Sequence, residues 1–277
     1  MRARLELRVF YDAPAFHCKR SVRILPLVCP SFEVKSERLE VFPPPDARLE
    51  DLDSWHNRRL RLFHRRIERE LRLDLQIEAS DFSAPIPVGL PNGLLKMPSR
   101  AVPFAPGLLE IGRSLRELSP PARARELNRR VFESLEYTAQ TSERPSSAAK
   151  IWEQRCGCCA DFAHVLLSLC RASGLAARYV AGFGPAPGAL HAWVEVAYEG
   201  AWHAFDPTHG REAVGLYLPV ATGRDFYDCA PHTGRFHGRG AHLELRCELH
   251  TESPPTCARS AQSFSSDNRT PNPPPLP

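Results

Sequence analysis

The first eighty or so residues alternate apolar and polar positions at period two in short runs. Arg4 to Val9, Val22 to Val28, Phe32 to Val41, Arg59 to Phe63 and Leu71 to Ile77 all read this way, with prolines and polar turns between them. Period two turns successive side chains to opposite faces, so each run is a strand with one dry and one wet face. Together they predict an antiparallel β-sandwich over residues 1–82, with Asp53 to Asn57 as a hairpin turn. A proline-dotted connector occupies 83–106.

After Gly107 the period lengthens. Leu108–Leu118 and Ala122–Leu135 repeat apolar residues at helical spacing, and Ser119-Pro120-Pro121 separates them. Ser147 to Gln154 predicts another short helix. The stretch after Phe162 is apolar on every face, which predicts a buried helix starting at Cys159 and closed by Gly174. Strand periodicity then returns in Ala177–Phe183 and His191–Tyr198. Glu199-Gly200 is a turn signal, and Trp202 to Phe205 runs back until Asp206-Pro207 stops it. Val214–Val220 and His242–Leu249 predict two more strands. The fold class is therefore α+β: the N-terminal sandwich, then a core over 107–252 in which a Cys-bearing helix packs on an antiparallel sheet. Residues 253–277 shift to Pro, Ser, Thr and Asn and predict a disordered tail.

Candidate chemistry gathers in the core. Cys159 sits at a helix N-terminus, where unpaired N–H groups and the helix dipole favour a thiolate. A neighbouring imidazolium would lower the thiol further. His191 begins a strand thirty-two residues later. Counting antiparallel from a turn at 199–200, its partner falls within about two positions of Asp206. Thiol, imidazole and carboxylate are thereby brought within reach of one another as Cys159, His191 and Asp206. Glu195, four residues along the same strand, is too far to hold the ring, and His203 faces away from Asp206 with Phe205. His164 reads as a packed histidine, Asp161 as a helix-start residue, and Trp193 as a possible wall of the site. Arg178 and Arg224 are candidates for anchoring loops or a substrate carboxylate.

Gly157-Cys158-Cys159-Ala160-Asp161-Phe162, Ala177 to Phe183, His191-Ala192-Trp193-Val194-Glu195-Val196 and Phe205-Asp206-Pro207-Thr208 resemble, in order and spacing, the core of the bacterial transglutaminase-like superfamily. Gly223 to Asp228 and Gly234 to Gly240 resemble the region that follows the family's triad, and the N-terminal strands resemble its bacterial N-terminal domain. The resemblance implies that Cys159 is the nucleophile, His191 the general base and acid, and Asp206 the orienting carboxylate. It implies thiol-dependent acyl transfer or hydrolysis on peptide or carboxamide substrates, with a protease, deamidase or transglutaminase outcome and no cofactor. Two positions depart from the family: Ala160 stands where glutamine is common, and His209 where asparagine is frequent. Papain-like proteases share the catalytic logic, but their histidine lies roughly 130 to 150 residues after the cysteine. The alternative is a catalytically weak scaffold that binds peptides or protein partners.

Composition narrows the picture further. With a net charge of only +4 over 277 residues, no polyanion partner is indicated. The arginines from Arg58 to Arg72 alternate with leucines as solvated strand faces do, and no nucleic-acid module accompanies them. No apolar run is long enough for a membrane span, and Met1 to Arg8 alternates charge with apolar residues unlike a secretory leader. Nine cysteines without a framework suit reduced thiols in the cytoplasm. Cys156, Cys158, Cys159 and His164 are soft ligands close together, yet their spacing is not that of a zinc knuckle, and no metal is expected. Cys158 beside Cys159 could trap an oxidised nucleophile.

Overall fold

The computed structural model describes residues 1–83, 85–87, 93–138 and 145–250. Alternation of buried and exposed side chains builds its N-terminal third from β1 (Arg2–Tyr11), β2 (Ala15–Val22), β3 (Val34–Phe42), β4 (Ala47–Leu52), β5 (Arg58–Ile67) and β6 (Glu70–Ala79). Leu5, Leu7 and Val9 of β1 face inward opposite Leu75, Leu73 and Leu71 of β6. Across the sandwich they meet Leu60, Leu62 and Ile67 of β5 in one apolar cluster.

The chain continues through β7 (Ile86–Pro87), α1 (Pro106–Ser114), α2 (Pro120–Ser134), β8 (Glu136–Tyr137), α3 (Ala148–Gln154), β9 (Cys156–Gly157) and α4 (Cys159–Ala172). Then come β10 (Ala176–Phe183), β11 (His191–Tyr198), β12 (Ala201–Asp206), β13 (Arg211–Glu212), β14 (Leu218–Gly223), α5 (Phe226–Cys229), β15 (His232–His237) and β16 (Ala241–His250). The central antiparallel sheet has the order β13-β12-β11-β10-β14, and β7 pairs with β12. From Ala160 to Ala172 every residue of α4 is buried, as the unbroken apolar run predicts. The helix ends as expected: Gly174 takes φ +90°, its N–H bonds to Arg171 O, and the Leu175 N–H to Cys170 O, satisfying the last carbonyls in a Schellman turn. No described helix is long and apolar enough to cross a membrane.

The structure corrects the expected division of the chain. β16 and β15, which lie inside the predicted 107–252 core, belong to the two sheets of the sandwich, whose orders are β16-β1-β6-β3 and β15-β2-β5-β4. The N-terminal strands alone leave β1 and β2 as open edges, and the returning chain covers both; β16 pairs β1 along all of Arg2 to Tyr11. Two strand boundaries also move. The expected strand Val22–Val28 is instead β2, which ends at Val22; Ile24 and Leu25 beyond it are buried without strand pairing. β4 escapes periodicity because it is an edge strand with almost every side chain exposed. The expected strand Val214–Val220 is broken at Gly215 (φ +78°), and pairing resumes at Leu218. The predicted tail lies outside the described residues.

One side chain ties sandwich to core. Asn57, fully buried in the predicted hairpin turn, donates from Nδ2 to Thr222 O at 2.9 Å and accepts the Thr222 N–H at 2.7 Å. Gly182 marks a second close approach: a Cβ there would lie 2.6 Å from the Trp193 ring and 2.8 Å from Pro219 Cα, and would also strike Leu218 O. Two of those three atoms are backbone and cannot yield. Gly182→Ala is expected to lower stability by about 2 kcal/mol through overpacking, read as a drop in the urea midpoint with an unchanged m-value.

Candidate active site

Local chemistry sets Cys159 at the first turn of α4. The chain leaves α3 through Arg155 at φ 60°, pairs briefly as β9 with β8, and enters the helix through Cys158 as N-cap. Asp161 accepts the Cys158 N–H at 3.0 Å and the Ser146 N–H at 2.9 Å, and the Cys158 side chain accepts the Asp161 N–H in return. Such a reciprocal box satisfies orphan donors at the helix start. Asp161 thus has the structural role read from its position. The Cys159 N–H, at the first helical position, has no acceptor within the helix.

The hairpin supplies the other two groups. Gly182 of β10 lies opposite His191, and Val194 of β11 opposite Phe205, so the register places His191 just beyond the end of β12, where Asp206 is the last residue. His191 Nε2 donates to Asp206 Oδ2 at 2.7 Å. An ionised carboxylate can only accept, which fixes the proton on Nε2 and leaves Nδ1 as the ring's free nitrogen. Gly184 makes room for the imidazole: a Cβ there would meet His191 Cβ at 2.6 Å and Cγ at 2.8 Å.

Asp206 carries more partners than spacing suggests. Oδ2 also accepts from His209 Nδ1 and from the Tyr217 hydroxyl, both at 2.7 Å. Oδ1 accepts the backbone N–H groups of Thr208 at 2.9 Å and His209 at 3.3 Å. Asp206 is wholly buried. Burial pushes its carboxyl up, but the His191, His209 and Tyr217 donors more than reverse this and hold it well below the usual carboxylate range. Burial and then Asp206 push the Tyr217 phenol up, so it stays a donor.

Sequence reasoning did not single out Tyr217. Its one signal is a tyrosine in the apolar run Leu216-Tyr217-Leu218, since a buried hydroxyl must find a partner. His209 reads in the sequence as a departure from the family pattern and, flanking Asp206, as a residue that could be mistaken for the base. Trp193, fully buried, stacks on His191 with centroids 6.3 Å apart and meets Tyr217 edge-on at 5.3 Å. It walls the pair from behind as well as packing in the core.

Cys159 and His191 line one cavity of about 400 Å³, which Leu243 and Leu245 of β16 also line. The sandwich therefore contributes a wall of the site. The two adjacent thiols are linked: the hydrogen bond with Cys159 lowers the Cys158 thiol. The same bond, then burial, push Cys159 well above the ordinary thiol range, with the Ala192 N–H acting against them. The helix start and the Ala192 N–H favour a thiolate at Cys159, and the Cys158 sulfur and burial oppose it.

The remaining candidates resolve individually. His164 is buried, with Nδ1 donating to Ser146 O at 3.1 Å and Nε2 accepting the Phe226 N–H at 3.2 Å, so both nitrogens are used structurally. Arg178 is committed to Glu195 at 2.6 Å and lies over Trp202. Arg224 pairs with Asp228 at 3.4 Å. His203 stacks on Tyr198 at 3.7 Å, away from Asp206. Among the described residues, Cys156, Cys158, Cys159 and His164 do not form a metal-ligand cluster; the group that gathers is His191, Asp206 and His209, with ligand atoms within 4.8 Å of one another. Hydrogen bonds to one carboxylate oxygen account for that grouping.

Residues 111–207 match the model of the transglutaminase-like superfamily. The chain is 37% identical over 117 residues to an uncharacterised protein of Mycobacterium leprae, across 39% of this chain and 42% of that one. It is 31% identical over 128 residues to an uncharacterised protein of Mycobacterium tuberculosis, across 40% of each. The matched part thus spans about two fifths of the length of these curated relatives. A crystal structure from Cytophaga hutchinsonii, provisionally assigned as a cysteine protease, superposes with a TM-score of 0.73 at 22% identity and covers 92% of both chains. That likeness extends over sandwich and core together and establishes the shared fold.

Proposed function

We propose that this chain, whose residues 111–207 match the transglutaminase-like superfamily, catalyses thiol-dependent acyl transfer or hydrolysis on peptide or carboxamide substrates through Cys159, His191 and Asp206. The observation that carries this reading is the 2.7 Å hydrogen bond from His191 Nε2 to a buried Asp206, on the wall of the cavity that Cys159 also lines. With Nε2 engaged, Nδ1 takes the Cys159 proton as sulfur attacks the carbonyl carbon. The oxyanion meets the unpaired Cys159 N–H. Collapse breaks the C–N bond, His191 returns the proton to the departing amine or ammonia, and a thioester remains. Water or a primary amine then resolves it, giving hydrolysis in the first case and crosslinking in the second. The protein or peptide that supplies the carbonyl is the expected partner.

A raised Cys159 thiol favours a second reading, a peptide-binding scaffold with a weak nucleophile. Iodoacetamide labelling across pH, mapped by mass spectrometry under reducing conditions, separates the two. The enzyme reading expects Cys159 to label faster in the wild type than in His191→Ala. It also expects the pH at which labelling begins to fall in Cys158→Ser, since that change removes the neighbour raising the thiol while keeping an N-cap acceptor. Identical slow labelling in wild type and His191→Ala would favour the scaffold.

A further inference from the structure

A second cavity, of about 430 Å³, adjoins the catalytic one; Phe226, His242 and Leu243 line both. Its floor holds Arg20 of β2, only 6% exposed. The guanidinium donates to the Tyr11 hydroxyl at 2.6 Å and lies over the rings of Tyr11 and Phe236 at 5.4 and 5.2 Å. Nε has no hydrogen-bond partner. Among the described residues none that lines the cavity is acidic, and Arg20 forms no ion pair. A buried cation is ordinarily paired, because desolvating an unpaired charge is costly. Among the described residues Arg20 has no counter-charge.

The surroundings favour an anion there. His232 Nε2, in the same cavity, is buried without a partner. Arg100 sits exposed at the rim, 4.3 Å over the Tyr227 ring, and it too forms no ion pair among the described residues. Gly234 allows the approach, since a Cβ on it would meet Arg20 Cδ at 2.5 Å and Nη1 at 2.8 Å. Arg20, Arg100 and His232 line one space together with the rings of Phe226, Tyr227 and Phe236, which suits a carboxylate on a short apolar stem.

We infer that this cavity is a specificity subsite that binds a carboxylate of the peptide whose carbonyl lies over Cys159, either an Asp or Glu side chain or a chain-terminal carboxylate. The inference rests on the acyl-transfer reading for what occupies the neighbouring cavity. It assigns the substrate an acidic group near the reacting carboxamide, held mainly by Arg20.

Binding to Cys159→Ala protein tests it without turnover. The probes are blocked peptides with one central glutamine and a single glutamate moved through the flanking positions, their all-glutamine counterparts, and the same sequences ending in a free acid or an amide. One glutamate position, or the free acid, should bind about tenfold or more tightly than its neutral match. That preference should vanish in Arg20→Met. Preference for one glutamate position identifies a side chain, and preference for the free acid a terminus. In the Cys159→Ala parent, with Arg20 intact, imidazole NMR gives a reading that does not depend on the Arg20 variant folding. There the favoured peptide should raise the His232 titration, which burial and then Arg20 push down to about 4. Equal affinities across the set, an unmoved His232, or a preference that survives in folded Arg20→Met overturns the subsite. A wild type that shows the acid preference in binding but no turnover would overturn the enzyme reading and leave the subsite standing.

Discussion

Cys159→Ala is expected to lose turnover by about 10⁶-fold, the loss seen when the nucleophile of a triad is removed, with folding stability within about 0.5 kcal/mol of wild type. The stability half follows from the site. Cys159 is a small, half-buried residue at the first helical position, alanine is the best helix former, and the cap is supplied by Cys158 and Asp161. The activity half follows from chemistry, since no other described cysteine shares the cavity with His191. Casein incubated with a fluorescent primary amine, with ammonia and new amino termini measured in parallel, reads all three resolutions of the thioester at once. Turnover retained in a folded Cys159→Ala protein would remove Cys159 from the mechanism.

Asp206→Asn should cost both rate and stability. Replacing a triad carboxylate by its amide costs about 10⁴-fold in turnover, because the imidazole loses the partner that fixes its tautomer. The structure adds a larger folding penalty than a simple triad would carry. Five donors converge on Asp206, and an amide offers one oxygen in place of two. Leaving buried donors unmatched is expected to cost on the order of 3 kcal/mol. The pH dependence has a definite sign. Because the folded-state carboxyl is held well below its ordinary value, the stability from ionised Asp206 is fully present above the unfolded-chain value of about 3.9. It is lost as pH falls toward the folded value. Asp206→Asn should therefore flatten the acid limb of the stability curve, measured by urea unfolding from pH 7 down to pH 3. An acid limb parallel to wild type would show that these hydrogen bonds do not depend on the charge.

What was legible in the chain is what is local. The helix from Cys159 to Gly174 and the hairpin from His191 to Asp206 each follow from a period, a turn and a cap within about twenty residues, and their register brings the imidazole and the carboxylate together. Tyr217 and His209 were not legible as donors, because nothing in their spacing tells which carboxylate oxygen they reach. The return of β15 and β16 to the sandwich was also hidden. His242 to Leu249 reads correctly as a strand, but a strand's own alternation does not name its partner. The raised Cys159 thiol depends on burial and on a neighbouring sulfur, and the helix start alone argued the opposite direction.

The pairing of Arg2 with His250 has a consequence for the order in which the protein matures. Contacts between residues so distant in sequence form late, since the loop between them must close before they are rewarded. On the ribosome, β1 waits unpaired on that edge until nearly all of the described chain has emerged. The same arriving strand brings Leu243 and Leu245 to the cavity that Cys159 lines. The thiol's binding cleft is therefore finished only when synthesis reaches β16, so a nascent or truncated chain carries the nucleophile without the enclosure that would direct it at a substrate.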